Sequence, residues 1–272
     1  MEKIGGGNST GGLSKLIPLV SDDLPQGDHR ADGVVLKRKE ASPKSSDCLL
    51  FLRGMGAVWA GTPGPRKRFG GAAEPMTWGS FMLYQGPRRL YLKGVDVAED
   101  FLSVRNSKNS LLCAAKWCVE LSARLPLGHE NNAVLSLFWG SMKNLSRGLC
   151  VPLLDARFAW RWGNVWGVAP SFGQCPGCGA ALGSGEPAAM TELGFLCRGC
   201  LAKSMAKPHE PPGFRKPVSP GAFEIIKSSC LSPAENFVSR EPELRGKFSS
   251  NETLAREVKE AARWLFSFLR ID

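Results

Sequence analysis

The chain of 272 residues has no apolar run near the roughly 18 residues that a membrane-spanning helix requires. Its N-terminal region has a short apolar patch, but it lacks the basic segment and longer apolar core of a secretory signal. Both absences predict a cytoplasmic protein without a membrane contact. In that reducing compartment, nine cysteines favour metal binding and free thiols over a disulfide framework.

Side chains that commonly carry catalysis are also scarce. No serine or cysteine in the setting of a nucleophile lies near any of the three histidines, which are His29, His129 and His209. Acidic residues form no cluster suited to two metal ions. The pair Glu99-Asp100 stands at a predicted helix start, where acids complement the helix dipole. The sequence therefore predicts a protein that is not an enzyme.

Positive charge, by contrast, is abundant. The 35 Lys and Arg residues exceed the 25 acidic residues and give a formal net charge of +10. Much of the excess lies between residues 31 and 95, where eleven basic residues stand against four acidic ones. Such a concentration is typical of a nucleic-acid-binding surface, whereas net charge alone fits a merely soluble cationic surface equally well.

The same segment predicts a small β-unit. Five short apolar or alternating runs are separated by turns rich in glycine and proline. The runs cover residues 33–39, 48–53, 57–60, 76–85 and 90–97. Five short strands in this length predict a small barrel of the oligonucleotide/oligosaccharide-binding (OB) type, although a fragment of a five-stranded sandwich would give a similar pattern.

Candidate nucleic-acid-binding residues lie on one predicted strand and in two predicted turns. Lys37 and Lys39 share one face of the first strand, and Arg38 points to the other. Arg88 and Arg89 lie in a hairpin turn, where they either extend the basic surface or keep the turn solvated. A loop too rich in glycine and proline for regular structure carries three more cations and could follow a phosphate backbone. These loop cations are Arg66, Lys67 and Arg68.

Beyond residue 97 the hydrophobic pattern becomes helical. Apolar residues at spacings of three and four predict a helical bundle across residues 98–170, where Pro170 ends the pattern. A proline-rich linker is predicted at 208–217. Two further helices are predicted, one over 220–231 and one from the N-cap residue Asn251 to residue 269.

The sequence has one strong metal-binding motif. Two Cys-x2-Cys pairs, Cys175/Cys178 and Cys197/Cys200, are separated by 18 residues. Two residues between thiolates allow a tight turn to present both sulfurs to one ion, and the longer separation lets a hairpin bring the second pair round. Four cysteine ligands leave no coordination position for water, so the motif predicts structural Zn2+ rather than a catalytic ion. A redox pair is the weaker alternative.

Together these patterns predict an α+β protein with four parts. Residues 1–29 form a disordered extension, and residues 30–97 form an OB-fold β-barrel that binds nucleic acid. Residues 98–170 and 204–272 form an α-helical bundle domain. A four-cysteine zinc finger, or zinc knuckle, is inserted into that domain at residues 171–203.

Several short motifs, in a defined order, resemble those of one known family. The heptapeptide Gly33-Val-Val-Leu-Lys-Arg-Lys resembles its opening strand, and Arg66-Lys-Arg-Phe-Gly-Gly-Ala-Ala-Glu-Pro is similar to its basic loop. Glu99-Asp-Phe resembles its strand-to-helix junction. Asp155-Ala-Arg-Phe-Ala-Trp-Arg-Trp-Gly, followed later by Cys-x2-Cys-Gly, is similar to the helix that enters its zinc region. The family is RecO, the DNA repair and recombination mediators, and the resemblance extends from residue 33 to about residue 200.

The resemblance implies a mediator that binds single- and double-stranded DNA and anneals complementary strands. It implies that the protein works with RecR to load RecA onto DNA coated by single-stranded-DNA-binding protein. It also implies binding of that coating protein's acidic C-terminal tail, and a nucleoid-associated location in the cytoplasm. The basic residues would neutralise the phosphates of two strands and reduce their repulsion during pairing.

Two alternatives remain open on the sequence. A zinc-ribbon module that binds RNA or a polymerase fits the cysteine motif, although the barrel and bundle around the motif disfavour it. A zinc-ribbon nuclease fits less well, because it needs an acidic cluster that the sequence lacks.

Overall fold

The computed structural model describes residues 24–42, 45–63, 69–183, 187–205 and 215–269. The predicted loop cations Arg66, Lys67 and Arg68 lie outside these ranges, and so do residues 1–23 of the predicted extension. The rest of that extension is not separate from the fold, because the first strand already begins at Gly27. The predicted boundary at residue 30 is therefore too late in the chain.

Five strands form a closed barrel. They are β1 (Gly27–Ser42), β2 (Ser45–Leu52), β3 (Gly56–Pro63), β4 (Trp78–Gln85) and β5 (Leu90–Glu99). Strand β1 pairs antiparallel with both β2 and β4, and β3 meets β5 in parallel, which gives the order β1-β2-β3-β5-β4 around the barrel. The five predicted strands are confirmed, and closure rules out the sandwich fragment.

The two faces of the barrel wall have different partners. Side chains such as Val35, Leu50 and Phe81 point inwards and form one buried cluster. The outward side chains Leu49 and Phe51 of β2 belong instead to the core that is shared with the helices. Alternate residues of one strand therefore serve two cores, which explains why β2 is a nearly continuous apolar run in the sequence.

The described residues beyond the barrel include eight α-helices, of which α2 and α3 pack against barrel strands. They are α1 (Leu102–Arg105), α2 (Lys108–Arg124), α3 (Asn132–Ser146), α4 (Val151–Val165), α5 (Arg198–Met205), α6 (Pro220–Leu231), α7 (Ala234–Ser249) and α8 (Glu252–Leu265). Helix α4 is central and packs against α3, α6 and α8. Its Phe158 stacks on Trp117 of α2, with ring centroids 4.6 Å apart. No helix in the described ranges combines the length and apolar composition needed to cross a bilayer.

The C-terminal helices agree with the sequence at two particular points. Helix α6 spans the predicted residues 220–231. The predicted N-cap Asn251 accepts a hydrogen bond from the Leu254 backbone N–H at 3.0 Å, and α8 begins at the next residue. Both predictions are confirmed, because proline at a first turn and asparagine at an N-cap are strong local signals.

The segment that holds the cysteines forms a small sheet rather than an isolated knuckle. Strands β6 (Pro187–Thr191), β7 (Gly194–Cys197) and β8 (Arg215–Pro217) pair in the order β7-β6-β8. Strand β8 lies within the stretch predicted as a proline-rich linker, so that prediction is wrong for residues 215–217. Helix α5 likewise crosses the boundary predicted at residue 203. The sheet therefore extends beyond the predicted insertion and includes a strand from the chain that follows it.

The barrel is fixed to the helices by backbone contacts. The Gly128 N–H, between α2 and α3, donates to the Ala57 carbonyl of β3 at 2.9 Å. Gly56 has a φ of +71° and lies so close to His129 that a β-carbon would be 1.9 Å from its carbonyl oxygen. Only glycine fits this approach, so the β2–β3 hairpin and the α2–α3 loop form a tight joint.

Candidate metal centre and nucleic-acid interface

The four predicted ligand cysteines come together at one point. The sulfurs of Cys175, Cys178, Cys197 and Cys200 all lie within 4.8 Å of one another. The first pair lies in a turn, where Gly179 at a φ of +72° lets the chain reverse. Strand β7 brings Cys197 to the cluster at its last residue, and the first turn of α5 brings Cys200.

The spacing of the sulfurs fits a tetrahedral ion. The Cys178 and Cys197 sulfurs are 3.8 Å apart. Four metal–sulfur bonds of about 2.3 Å in a tetrahedron place the sulfurs about 3.8 Å from one another, so the observed separation fits. Burial raises the pKa of Cys175, but hydrogen bonds from the backbone N–H groups of Cys197, Gly177 and Cys178 outweigh it and lower the pKa to about 6. These N–H groups favour the thiolate, the form that binds a metal. The cluster could therefore hold a metal ion.

Aromatic packing connects the cysteine cluster to the helical core. The buried ring of Phe195, on β7, has its centroid 5.2 Å from Phe172, 4.9 Å from Phe223 of α6 and 4.8 Å from Trp264 of α8. The Trp264 indole N–H also donates to the Thr191 carbonyl at 3.0 Å. A change in the order of the β6–β7 hairpin would therefore be transmitted to α6 and α8.

Arg38 is buried and is separate from the exposed basic residues. Its side chain is 6% exposed, and its Nη1 lies 3.1 Å from Oε1 of Glu74. Its Nε donates to the Ser46 hydroxyl at 3.3 Å. Lys37 and Lys39 are both exposed. The predicted alternation along β1 is confirmed, since the two lysines share a surface from which Arg38 is absent.

The hairpin between β4 and β5 presents its two arginines differently. Arg88 is exposed. Arg89 lies across Gly61 of β3, and its Nη2 is 2.6 Å from Oδ1 of the buried Asp47 carboxylate. A β-carbon at Gly61 would be 2.0 Å from that nitrogen, so the glycine leaves the space that the guanidinium occupies. Arg89 therefore fixes the hairpin on the barrel, while 46% of its side chain stays accessible.

One end of the barrel gathers several of the predicted cations. Lys39 pairs in register with Asp47, and Asp47 pairs with Gly61, so that Lys39 and Arg89 both flank the Asp47 carboxylate. Strand β3 ends at this level, at Pro63. The structure thus places Lys39 and Arg89 close together, with Lys37 further along β1. Their role in nucleic-acid binding stays a prediction.

A groove that no sequence pattern indicated lies between α2, α4 and α8. Its volume is about 480 Å³. The lining includes Val151 and Pro152 at the start of α4 and Leu112 of α2, whose side chain is 60% exposed. Lys259 and Arg263, exposed on successive turns of α8, line the same groove. The groove therefore combines apolar surface with positive charge, a combination that requires three helices distant in sequence.

A small closed barrel is joined tightly to a helical domain, and an inserted segment of that domain carries a four-cysteine cluster. This arrangement defines the class of protein as a two-part barrel and helical-domain protein. No protein-family model matches the chain. The DNA repair protein RecO of Acetivibrio thermocellus is 24% identical over 176 residues, which cover 63% of this chain and 70% of the relative. That of Desulforamulus reducens is 25% identical over 178 residues, with coverages of 63% and 68%.

A third relative has a higher sequence identity than these two. The DNA repair protein RecO of Anaeromyxobacter sp. strain K is 30% identical over 175 residues, which cover 62% of this chain and 68% of the relative. The chain belongs to the RecO family of DNA repair proteins. The resemblance inferred from the short motifs is thereby confirmed.

Proposed function

We propose that the protein is a recombination mediator in DNA repair without a catalytic centre of its own. It binds single- and double-stranded DNA, anneals complementary strands and, with RecR, helps to load RecA onto DNA coated by single-stranded-DNA-binding protein, in the cytoplasm at the nucleoid. The observation that carries the proposal is its membership of the RecO family. The exposed lysines and arginines of the barrel support it, because phosphate neutralisation is the main source of affinity for nucleic acids.

We further propose that the barrel is an OB-fold. Its support is the closed order β1-β2-β3-β5-β4, with a short helical turn at Gly70–Ala73 between β3 and β4. OB-folds commonly bind oligonucleotides on the face of strands 2 and 3 and with the loops beside it. Here Phe51 and Ala57 on that face are buried in the core shared with the helices. Nucleic acid is therefore expected at the exposed end of the barrel and along β4 and β5.

The cysteine cluster would hold Zn2+ in a structural role. Its four thiolate donors match the preference of zinc for sulfur, and four protein ligands leave no position for a reacting water. The buried contact of Phe195 with Phe223 and Trp264 supports a structural function, because it links the cluster to two helices of the domain. The metal would thus maintain the order of the helical domain on which the barrel rests.

The acidic C-terminal tail of single-stranded-DNA-binding protein would bind in the groove between α2, α4 and α8. Lys259 and Arg263 offer charge to the acids of such a tail, and Leu112 offers exposed apolar surface. Lys116 also lines the groove, but its ammonium lies 2.7 Å from an oxygen of Asp155 and is already paired. The two cations of α8 are therefore the better candidates for contact with the tail.

Replacing Lys259 and Arg263 together by glutamate is expected to weaken binding of a fluorescently labelled tail peptide by at least about tenfold, because two attractive contacts become repulsive. Fluorescence anisotropy measures this effect. The control is Arg240→Glu, which changes an exposed arginine on α7 outside the groove. Equal affinity of the double variant and the control for the peptide would place the tail elsewhere.

The overall function is tested by strand annealing on complementary oligonucleotides coated with single-stranded-DNA-binding protein. The wild type is expected to anneal them, whereas replacing Arg66, Lys67 and Arg68 by alanine should slow annealing at least about tenfold. In a plot of the logarithm of the single-strand binding constant against the logarithm of the salt concentration, the slope should also become less steep by about two, because three phosphate contacts are lost. A variant with Arg147, Arg240 and Lys247 changed to alanine loses the same charge elsewhere and should anneal normally.

The alternative function is a module that binds RNA or a polymerase through the four-cysteine cluster. Competition between DNA and RNA oligonucleotides of one sequence separates the two functions. A strong preference for RNA, together with no annealing of coated DNA, would favour the alternative. Cleavage of DNA by the purified protein would contradict the proposal that it lacks a catalytic centre.

A further inference from the structure

The two tyrosines of the chain lie side by side on the outside of the barrel. Tyr84 of β4 and Tyr91 of β5 are directly opposite each other in the antiparallel pair. Tyr84 is 41% exposed and Tyr91 is half-buried. Neither belongs to the barrel interior or to the core shared with the helices. Two adjacent rings at the surface need a reason other than packing, because large aromatic side chains normally contribute most when buried.

Each ring has a basic side chain over it. The Arg89 guanidinium carbon lies 5.2 Å from the centre of the Tyr91 ring, and the Lys93 ammonium lies 5.7 Å from the centre of the Tyr84 ring. Residues 82–93, which include the hairpin, contain three basic residues and no acidic one. The rings therefore lie in a strip of β-structure where positive charge and aromatic surface alternate.

Arg89 and Lys93 each pair with an acid of a neighbouring strand, but both basic side chains remain about half exposed. Lys93 pairs with Asp28 of β1 at 2.8 Å, but the two side chains are 54% and 70% exposed. Such an exposed ion pair is weak and exchanges readily with another anion. Arg89 pairs more firmly with the buried Asp47, yet nearly half of its side chain remains accessible. Both basic groups can therefore contact a phosphate beside the rings.

Glycine at position 86 of the hairpin adds no side chain against the edges of the two rings. A β-carbon at Gly86 would be 3.3 Å from Cε2 of Tyr91, which is a tight contact, and 3.8 Å from Cε1 of Tyr84, which is an ordinary one, so a side chain there would cover part of the surface beside both rings. Met82, one pleat further along the same face of β4, is 37% exposed and extends the apolar surface. The covered face of β2 and β3 is not available to a ligand, whereas this part of the wall is.

We propose that Tyr84 and Tyr91 are a stacking surface for bases of a single-stranded nucleic acid, with Arg89 and Lys93 beside its phosphates. Surface rings interleaved with cations bind single strands in this way, since every base has a flat face and duplex bases are already stacked. This inference rests on the proposed function, because it requires that the chain binds nucleic acid. It adds the place where bases lie and a preference for unpaired strands.

The experiment compares two oligonucleotides of equal length, an oligothymidine and an abasic strand with the same number of phosphates. Fluorescence anisotropy at two salt concentrations measures binding by the full-length wild type, Tyr84→Leu, Tyr91→Leu and the double variant. The wild type is expected to prefer the base-bearing strand. Each leucine substitution should weaken its binding roughly five- to a hundredfold, the effect of losing one stacked base, and should leave the abasic strand and duplex DNA unaffected.

Two controls separate stacking from damage to the fold. Phenylalanine at position 84 or 91 keeps the ring and should restore binding to near the wild-type affinity. Leu193→Ala changes an exposed apolar side chain in the turn between β6 and β7, outside the barrel, and should bind as the wild type does. Far-ultraviolet circular dichroism and thermal melting check that the barrel of each variant is intact.

The outcomes distinguish this inference from the function on which it rests. If the wild type binds both strands equally, or if the double leucine variant binds oligothymidine as tightly as the wild type, the stacking surface is wrong while DNA binding stands. If the wild type binds neither single strands nor duplex DNA, the proposed function itself fails, and the stacking surface fails with it.

Discussion

Replacing Cys178 by serine is expected to abolish stoichiometric zinc binding and to lower the free energy of unfolding by at least about 3 kcal/mol. Metal binding at a structural four-cysteine site contributes directly to folding, with apparent free energies of about 10–16 kcal/mol in isolated zinc-finger peptides. Cys178 is exposed, so serine at this position disturbs little packing and mainly removes one thiolate. Elemental analysis gives the zinc content per chain, and urea unfolding gives the stability.

The matched control for this prediction is Cys150→Ser, which changes a half-buried thiol outside the cluster and should keep one zinc per chain. In the wild type, a strong chelator should shift the emission of Trp264 to longer wavelength, because the ring contacts Phe195 and its N–H donates to Thr191 on the hairpin. Comparison with Trp264→Phe isolates that signal from the other tryptophans. Full stability of Cys178→Ser without zinc would show that the cluster does not hold a structural ion.

The cysteine cluster and the barrel could be predicted because their signals are local. Two residues between Cys175 and Cys178 limit the pair to one turn, and the turn-forming residues around each barrel strand limit its length. Alternation along β1 similarly placed Lys37 and Arg38 on opposite faces, which the structure confirms. Short-range geometry decides all of these features, so one sequence is sufficient to predict them.

Helix α7 was missed because its local signals oppose a helix. Pro242 lies inside it and lacks an N–H for the hydrogen bond to the preceding turn, and Gly246 adds further backbone freedom. Tertiary contacts stabilise the helix instead. Glu241, which is 5% exposed, accepts a hydrogen bond from the Cys150 N–H at 2.8 Å at the start of α4 and pairs with Arg245 one turn later. The contact between Glu241 and Cys150 joins residues far apart in sequence, so the hydrophobic periodicity of the sequence does not indicate it.

The candidate binding residues at the surface also depend on contacts between residues that are distant in sequence. The sequence places Arg89 in a hairpin turn, where it either extends the basic surface or keeps the turn solvated, whereas Gly61 and Asp47 give it a fixed position on the barrel. The exposed tyrosines could have been noticed as aromatic residues at alternating positions in strands, but only the closed barrel shows which side faces solvent. The groove of Lys259 and Arg263 depends on three helices and has no signal in any one of them.

Arg157 of α4 is expected to be among the most important side chains for stability in the helical domain. It is 7% exposed, and its Nη1 donates to the carbonyls of Ser229 at 2.5 Å and Ser232 at 2.7 Å, at the C-terminal end of α6. Arg161, one turn later, donates to the Cys230 carbonyl at 2.9 Å. Two arginines thus satisfy carbonyls that the end of a helix leaves without intrahelical partners, and their charge complements the helix dipole.

The Arg157 guanidinium remains charged inside the protein. Burial, with a smaller effect of Arg161, lowers its pKa to about 10, which is still well above neutral pH. The Phe237 ring of α7 lies 4.7 Å from its central carbon and offers a further favourable contact. The side chain therefore connects α4 with the end of α6 and the start of α7. Arg157 belongs to one of the motifs by which the sequence resembles the RecO family. In the structure, arginine at this position of the motif holds the end of α6 through its hydrogen bonds.

Arg157→Met is accordingly expected to lower the free energy of unfolding by about 2 kcal/mol, because it removes the donor to the buried Ser229 carbonyl at a cost of about 1–3 kcal/mol. The Ser232 carbonyl loses one donor but still accepts from Nη2 of Arg161 at 2.6 Å. Arg161→Met should cost about 1 kcal/mol, since water can reach its carbonyls more easily. Urea unfolding followed by circular dichroism measures both, with the exposed Arg240→Met as the control. If Arg157→Met were as stable as the wild type, burying the guanidinium would cost as much free energy as its hydrogen bonds contribute. Arg157 would then not be needed to hold the end of α6.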